Sequence, residues 1–140
     1  MRYFAFKDAP DQYGDNLSKF LDSFMEKATS FDSTQIIQLR KEFKASLAAC
    51  KLVFDNDELF SDINKNRRRQ GIVYYDLLMA SLGRIPTKTL REKRTEVREA
   101  FAALCASPDF KRLTAGGLQR KTSIARRNAL WDKKLQVAIK

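Results

Sequence analysis

Four acids stand close together in the sequence, Asp55, Asp57, Glu58 and Asp62, near enough to suggest a Mg²⁺ or Ca²⁺ cluster. They lack the Asp-x-Asn-x-Asn-Gly spacing that wraps one ion within a single loop, so no metal site is expected from them. A second constellation, Tyr74-Tyr75-Asp76, sets two phenols beside a carboxylate. On an otherwise apolar helix such tyrosines more often serve the core, with their hydroxyls bonded at its edge. Asp76 is the odder residue, because a carboxylate on a buried helix needs a cation. Arg69 or Arg127 could supply it, making a structural ion pair the favoured reading over a catalytic one. The chain contains no histidine. That removes HNH-type nuclease chemistry, Ser-His-Asp hydrolysis, Cys-His proteolysis and His-ligated zinc. Cys50 and Cys105 are too few and too far apart for a disulfide scaffold, and each falls at a core-facing helical position, so both read as buried reduced thiols. No catalytic residue, metal or cofactor is expected in this chain.

What remains is charge. Residues 1–63 carry 8 basic and 11 acidic side chains, whereas residues 64–140 carry 19 basic and 6 acidic, so the chain's net charge of +10 comes entirely from its second part. A positive surface of that size attracts polyanions and speeds their encounter, which points to nucleic acid, duplex DNA first. Solvation of outer helix faces accounts for the same composition without any partner. The candidate contacts are Arg67, Arg68 and Arg69 in one basic stretch, Arg120, Lys121, Arg126 and Arg127 about a Thr122-Ser123 helix start, and Lys133 and Lys134 further on. Arginines bind phosphate in bidentate geometry, and free N–H groups at a helix N-terminus reinforce them. No zinc finger, RNA-recognition signature or zipper is present, so base specificity is not expected.

The elements that must position these residues are helices. Apolar residues make up 44% of the chain, while five Gly and three Pro leave little for the turns an all-β domain needs. The length of 140 residues suits one domain, 1–140, a compact all-α bundle of about five main helices. Residues 2–9 read as a helical fragment stopping at Pro10. Asp15 or Asn16 caps a helix with Leu17, Phe20, Leu21, Phe24, Met25 and Ala28 at intervals of three and four. Asp32, Ser33 and Thr34 supply the next cap, before a stripe of Ile36, Leu39, Phe43, Leu47, Cys50 and Phe54, and these two long helices are expected to pack antiparallel. Leu59-Phe60 could anchor a short helix. A third main helix, starting near Gln70 and stopping at Gly83, has almost no polar face and reads as the central one. Thr89 and Glu92 have capping-box spacing for a helix ending near Pro108, and Asp109–Leu113 adds a turn. After Gly116-Gly117, Thr122 or Ser123 caps a last helix with Ile124, Asn128, Trp131, Leu135 and Ala138 inward. No run approaches the roughly 18 apolar residues that cross a bilayer, and no signal peptide is seen, so a cytoplasmic protein without a membrane partner is expected.

Several segments, in order, resemble the C-terminal helical half of GmrSD-type, modification-dependent restriction proteins, the ParB-like nuclease or NTPase proteins of phage defence. They are Arg2-Tyr3-Phe4-Ala5-Phe6-Lys7-Asp8 with Tyr13 and Phe20-Leu21-Asp22-Ser23-Phe24-Met25-Glu26; Phe43, Val53-Phe54 and Glu58-Leu59-Phe60; Arg69-Gln70-Gly71-Ile72-Val73-Tyr74-Tyr75-Asp76; and Asp109-Phe110, Thr122-Ser123 and Arg127. Gly71 stands where the family tends to have Asn. The family's other half, with the Asp-Gly-Gln-Gln-Arg motif linked to nucleotide hydrolysis, has no counterpart here; Gly116-Gly117-Leu118-Gln119-Arg120 lacks the aspartate. The resemblance implies a split subunit, a remnant or a fragment without chemistry of its own, any hydrolysis or cleavage belonging to the missing half or a partner carrying it. Tyr3, Phe4 and Phe6 then either form a patch awaiting that half or fold back onto the helices. The alternative to DNA binding is a protein docking module whose basic face serves association.

Overall fold

Asp32 opens the longest helix with a reciprocal cap. Its carboxylate accepts from the Gln35 backbone N–H at 2.8 Å, and the Gln35 side chain accepts from the Asp32 N–H at 2.9 Å. The computed structural model describes residues 1–140, all helix, turn and loop with no strand. Eight α-helices occur: α1 Arg2–Asp8, α2 Leu17–Ala28, α3 Ser33–Val53, α4 Ile72–Ser81, α5 Thr87–Glu92, α6 Arg94–Ala106, α7 Pro108–Thr114 and α8 Lys121–Ala138. Single 3₁₀ turns lie at Pro10–Gln12 and Leu82–Arg84. None of the helices is long and apolar enough to cross a membrane.

The main core is built by the C-terminal half of α3, by α4, and by α6 packed on α8. Phe101 meets Phe54 and Trp131 edge-on, with centroids 5.1 and 5.6 Å apart. The one polar atom of Trp131 is satisfied: its Nε1–H donates to Ser81 Oγ at 2.8 Å, and that hydroxyl donates to the Leu77 carbonyl at 2.7 Å. Val73, Leu77, Leu78 and Met79 are buried, so α4 is central as its composition implies. Cys50 and Cys105 are free and buried, and burial pushes both thiols up to about 12.

Expectation and structure part at four places. The inward side of α3 is Ser46, Ala49, Cys50 and Val53, while Ile36 and Ile37 are exposed. Small residues there admit Gly83, where an added Cβ would lie 2.2 Å from Ser46 Oγ and 3.0 Å from Ser46 Cα. Second, α2 rests on α1 through a satellite core of Ala5, Tyr13, Phe20 and Phe24 rather than running along α3. Third, no helix forms at Leu59-Phe60, because Phe60 has φ of 58° and a left-handed residue cannot continue a right-handed helix. Its carbonyl takes the Gly71 N–H at 2.9 Å instead, which delays α4 to Ile72. Fourth, the helix expected from Thr89 is two, α5 and α6, broken at Lys93, and Thr89 lies inside α5 without capping it. The break sets Arg94 and Arg98 against the end of α3, where they donate to the Leu52 and Val53 carbonyls, both at 3.1 Å. Of the two readings of Tyr3, Phe4 and Phe6, the structure bears out the one in which they fold back: Tyr3 is buried against Phe43 at 5.5 Å, and Phe6 packs at a tilt on Tyr13 and Phe20.

Candidate nucleic-acid interface

The predicted basic residues fall into three environments. Arg67, Arg68 and Arg69 lie exposed on the loop between α3 and α4, where Arg68 pairs with Asp57 at 3.4 Å and the other two take part in no ion pair. Arg120, Lys121, Arg126 and Lys133 are exposed at or on α8, and Lys134 is half-buried. Seven residues apart, Arg126 and Lys133 share one outward stripe of the helix. No hydrogen bond or ion pair joins the Arg67–Arg69 loop to α8.

Arg127 belongs to neither group. It is 3% exposed, four residues before Trp131 on the buried side of α8. Its guanidinium donates to the Leu113 carbonyl at 3.1 Å and the Leu118 carbonyl at 2.6 Å, tying the end of α7 and the following loop to the core. Burial pushes it down from its ordinary value while Asp76 pulls the other way. Asn128, expected inward, is the exposed residue, since the side chain one position back takes the inward place.

The start of α8 is also not as predicted. Arg120 occupies the cap position with no side-chain bond, and neither Thr122 nor Ser123 caps. The capping acceptor comes from the far end of the chain: Asp15, itself left-handed with φ of 70°, accepts the Lys121 N–H at 2.6 Å. The nearby Tyr13 hydroxyl donates to the Gln119 carbonyl, and Lys121 Nζ donates to the Asp11 carbonyl at 3.2 Å. The N-terminal segment thus straps down the helix that carries the basic stretch, with a carboxylate already where an anion would sit.

Asp76 finds its cation in Arg2, not Arg69 or Arg127. The guanidinium grips both carboxylate oxygens, at 2.9 Å to Oδ1 and 2.6 Å to Oδ2, and donates to Gln119 Oε1 at 2.7 Å. Three of the four acids of 55–62 are likewise spent on cations: Glu58 is 6% exposed and holds Arg98 through both oxygens, Asp55 takes Arg94 at 3.3 Å and Asp57 takes Arg68, while Asp62 accepts the Asn64 backbone N–H at 2.9 Å. The Arg98 hydrogen bond keeps the Glu58 carboxyl below its ordinary value against the opposing effect of burial.

Sequence reasoning missed a cavity of about 480 Å³ where α1, the Pro10–Gln12 turn, α3, α4 and α8 converge. Phe6, Tyr13, Tyr75, Met79 and Ile124 give it apolar and aromatic walls, and Arg84, Lys121, Ser46 and Asn128 bring polar atoms to it. Five separate segments contribute, so no local motif could announce it.

Fold and site together define an all-α protein with a strapped, basic C-terminal helix and a mixed aromatic and cationic cleft. No family model matches the sequence, and no curated protein or solved structure is significantly similar to it.

Proposed function

We propose that this chain is a non-catalytic helical domain of a GmrSD-like, restriction-type phage-defence system, binding duplex DNA through backbone phosphates. The observation that carries the reading is the net charge of +13 on residues 64–140, with Arg67, Arg69, Arg120, Arg126 and Lys133 exposed and outside every ion pair. Such side chains exchange counterions for phosphate with little desolvation, so binding is sequence-tolerant and salt-sensitive. The ordered resemblance of several segments to GmrSD-type proteins supports the restriction setting, with any hydrolysis or cleavage assigned to a partner.

The test is fluorescence anisotropy of a labelled duplex at low and physiological salt. With roughly six phosphates neutralised, the log–log salt slope should be near about −5. Replacing Arg120, Arg126 and Lys133 together by alanine should flatten it, with Arg127 left in place because it is structural. A flat dependence in the parent protein overturns the reading.

A second reading is favoured by a different observation. Met25, Ile36 and Ile37 are exposed, Ile37 by 65%, on α2 and the first turns of α3. A docking module that presents this face to a protein partner would co-purify with it, and Ile36→Asp with Ile37→Asp should release the partner while sparing the fold.

A further inference from the structure

The cavity beneath α1 is charged unevenly. Four cations line it, Arg2, Lys7, Arg84 and Lys121, against the acids Asp11, Glu42 and Asp76. Two of the cations are already committed, Arg2 to Asp76 at 2.6 Å and Lys7 to Glu42 at 3.2 Å. Arg84 joins no ion pair, and Lys121 Nζ meets only the Asp11 carbonyl at 3.2 Å, so both keep donors for an incoming anion. Apolar contact comes from the half-buried rings of Phe6 and Tyr75, beside which a planar base can pack. Asn128, exposed at the same rim, carries an amide that can both donate to and accept from a base edge. A volume of about 480 Å³ is within the range of sites that enclose small organic ligands.

We propose that this cavity binds a nucleotide, its base beside Phe6 and Tyr75 and its phosphate on Arg84 and Lys121. The inference deepens the nucleic-acid reading and rests on it for the source of the ligand, an unstacked nucleotide of a strand, although a free mononucleotide presents the same chemistry. A neutral planar ligand would leave the two cations unanswered, and a phosphate alone would leave the aromatic walls in contact with water. Base stacking on aromatic side chains contributes about 1–3 kcal/mol per base and tolerates every base, which suits a site with few directional groups.

The experiment titrates the whole chain with dAMP and dTMP, with their nucleosides, and with inorganic phosphate, by calorimetry and by chemical-shift perturbation. Expected is mononucleotide binding at about millimolar or tighter, with the nucleosides and phosphate each weaker by about tenfold. Arg84→Gln should cost a similar factor, and Ala80→Trp should abolish binding by filling the cavity from an exposed position on α4. Ala125→Trp fills it from the opposite wall on α8 and guards against a folding defect in the first variant. No mononucleotide binding at about 10 mM, nucleosides that bind equally well, or both tryptophan variants binding like the parent would each overturn the proposal. Competition by a single-stranded oligonucleotide supports the site with a strand as its source; its absence supports the site with a free nucleotide. Mononucleotide binding without duplex binding upholds the cavity and retires the phosphate-surface reading; duplex binding without mononucleotide binding does the reverse.

Discussion

The Asp15 carboxylate accepts the Lys121 backbone N–H at 2.6 Å, so residues 106 apart in sequence form one helix cap. The contact puts an acid from the negative half of the chain on the positive end of its most basic helix, where charge and helix dipole both favour it. Asp15→Ala should lower stability by about 1 kcal/mol, the usual worth of a cap. Asp15→Asn, which keeps an acceptor and tolerates the left-handed backbone, should lose less. Urea denaturation of the three proteins checks the order; an alanine variant as stable as the parent would show that the strap holds without this bond.

Glu58 and Arg98 should make the protein sensitive to acid. Because the Glu58 carboxyl lies below its ordinary value of about 4.5 in the folded state, the pair contributes fully above that pH. Its contribution is lost as pH falls through the depressed folded value. Glu58→Gln should therefore be less stable near neutrality, by about 2 kcal/mol, and the gap to the parent should narrow on acidification. Thermal melts at a series of pH values read this directly, and a constant gap would contradict it.

Arg127 and Arg126 are neighbours in sequence with opposite expectations. Arg127→Ala leaves two carbonyls without their donor and should cost about 2 kcal/mol of stability. Arg126→Ala should leave stability within about 0.5 kcal/mol and reduce the magnitude of the salt slope for duplex binding by about one. Denaturation and anisotropy measured on both variants separate the two roles.

Both cysteines should be silent toward thiol reagents. With pKa values pushed up to about 12 and no accessible path, Cys50 and Cys105 carry almost no thiolate near neutral pH. Titration with Ellman's reagent should find no reactive thiol in the native protein and two after guanidinium denaturation. Rapid native labelling would mean that the core formed by α3, α4 and α6 opens readily.

Local rules carried far in this chain. The Asn16 and Asp32 caps, the inward Phe20 and Phe24 of α2, the burial of α4 and the two buried thiols follow from residue types at helical spacing, because capping and amphipathic burial act within a turn or two, although Met25 of the same α2 stripe is exposed. Charge asymmetry is likewise a property of the sequence alone. Partner choice is not. Asp76 had two candidate arginines, Arg69 and Arg127, and neither grips it: Arg2 does, 74 residues away on a short helix that folds back over α4. Arg127 reads as one more surface cation until α8 turns its position 127 toward Trp131 and two carbonyls. Phe60 in the left-handed region, the break at Lys93 and the cavity lined by five segments have no local signature, since each is the outcome of elements competing for the same space. Helix type and solvent preference were written residue by residue; which charges meet, and where they leave an opening, was decided only when distant segments packed.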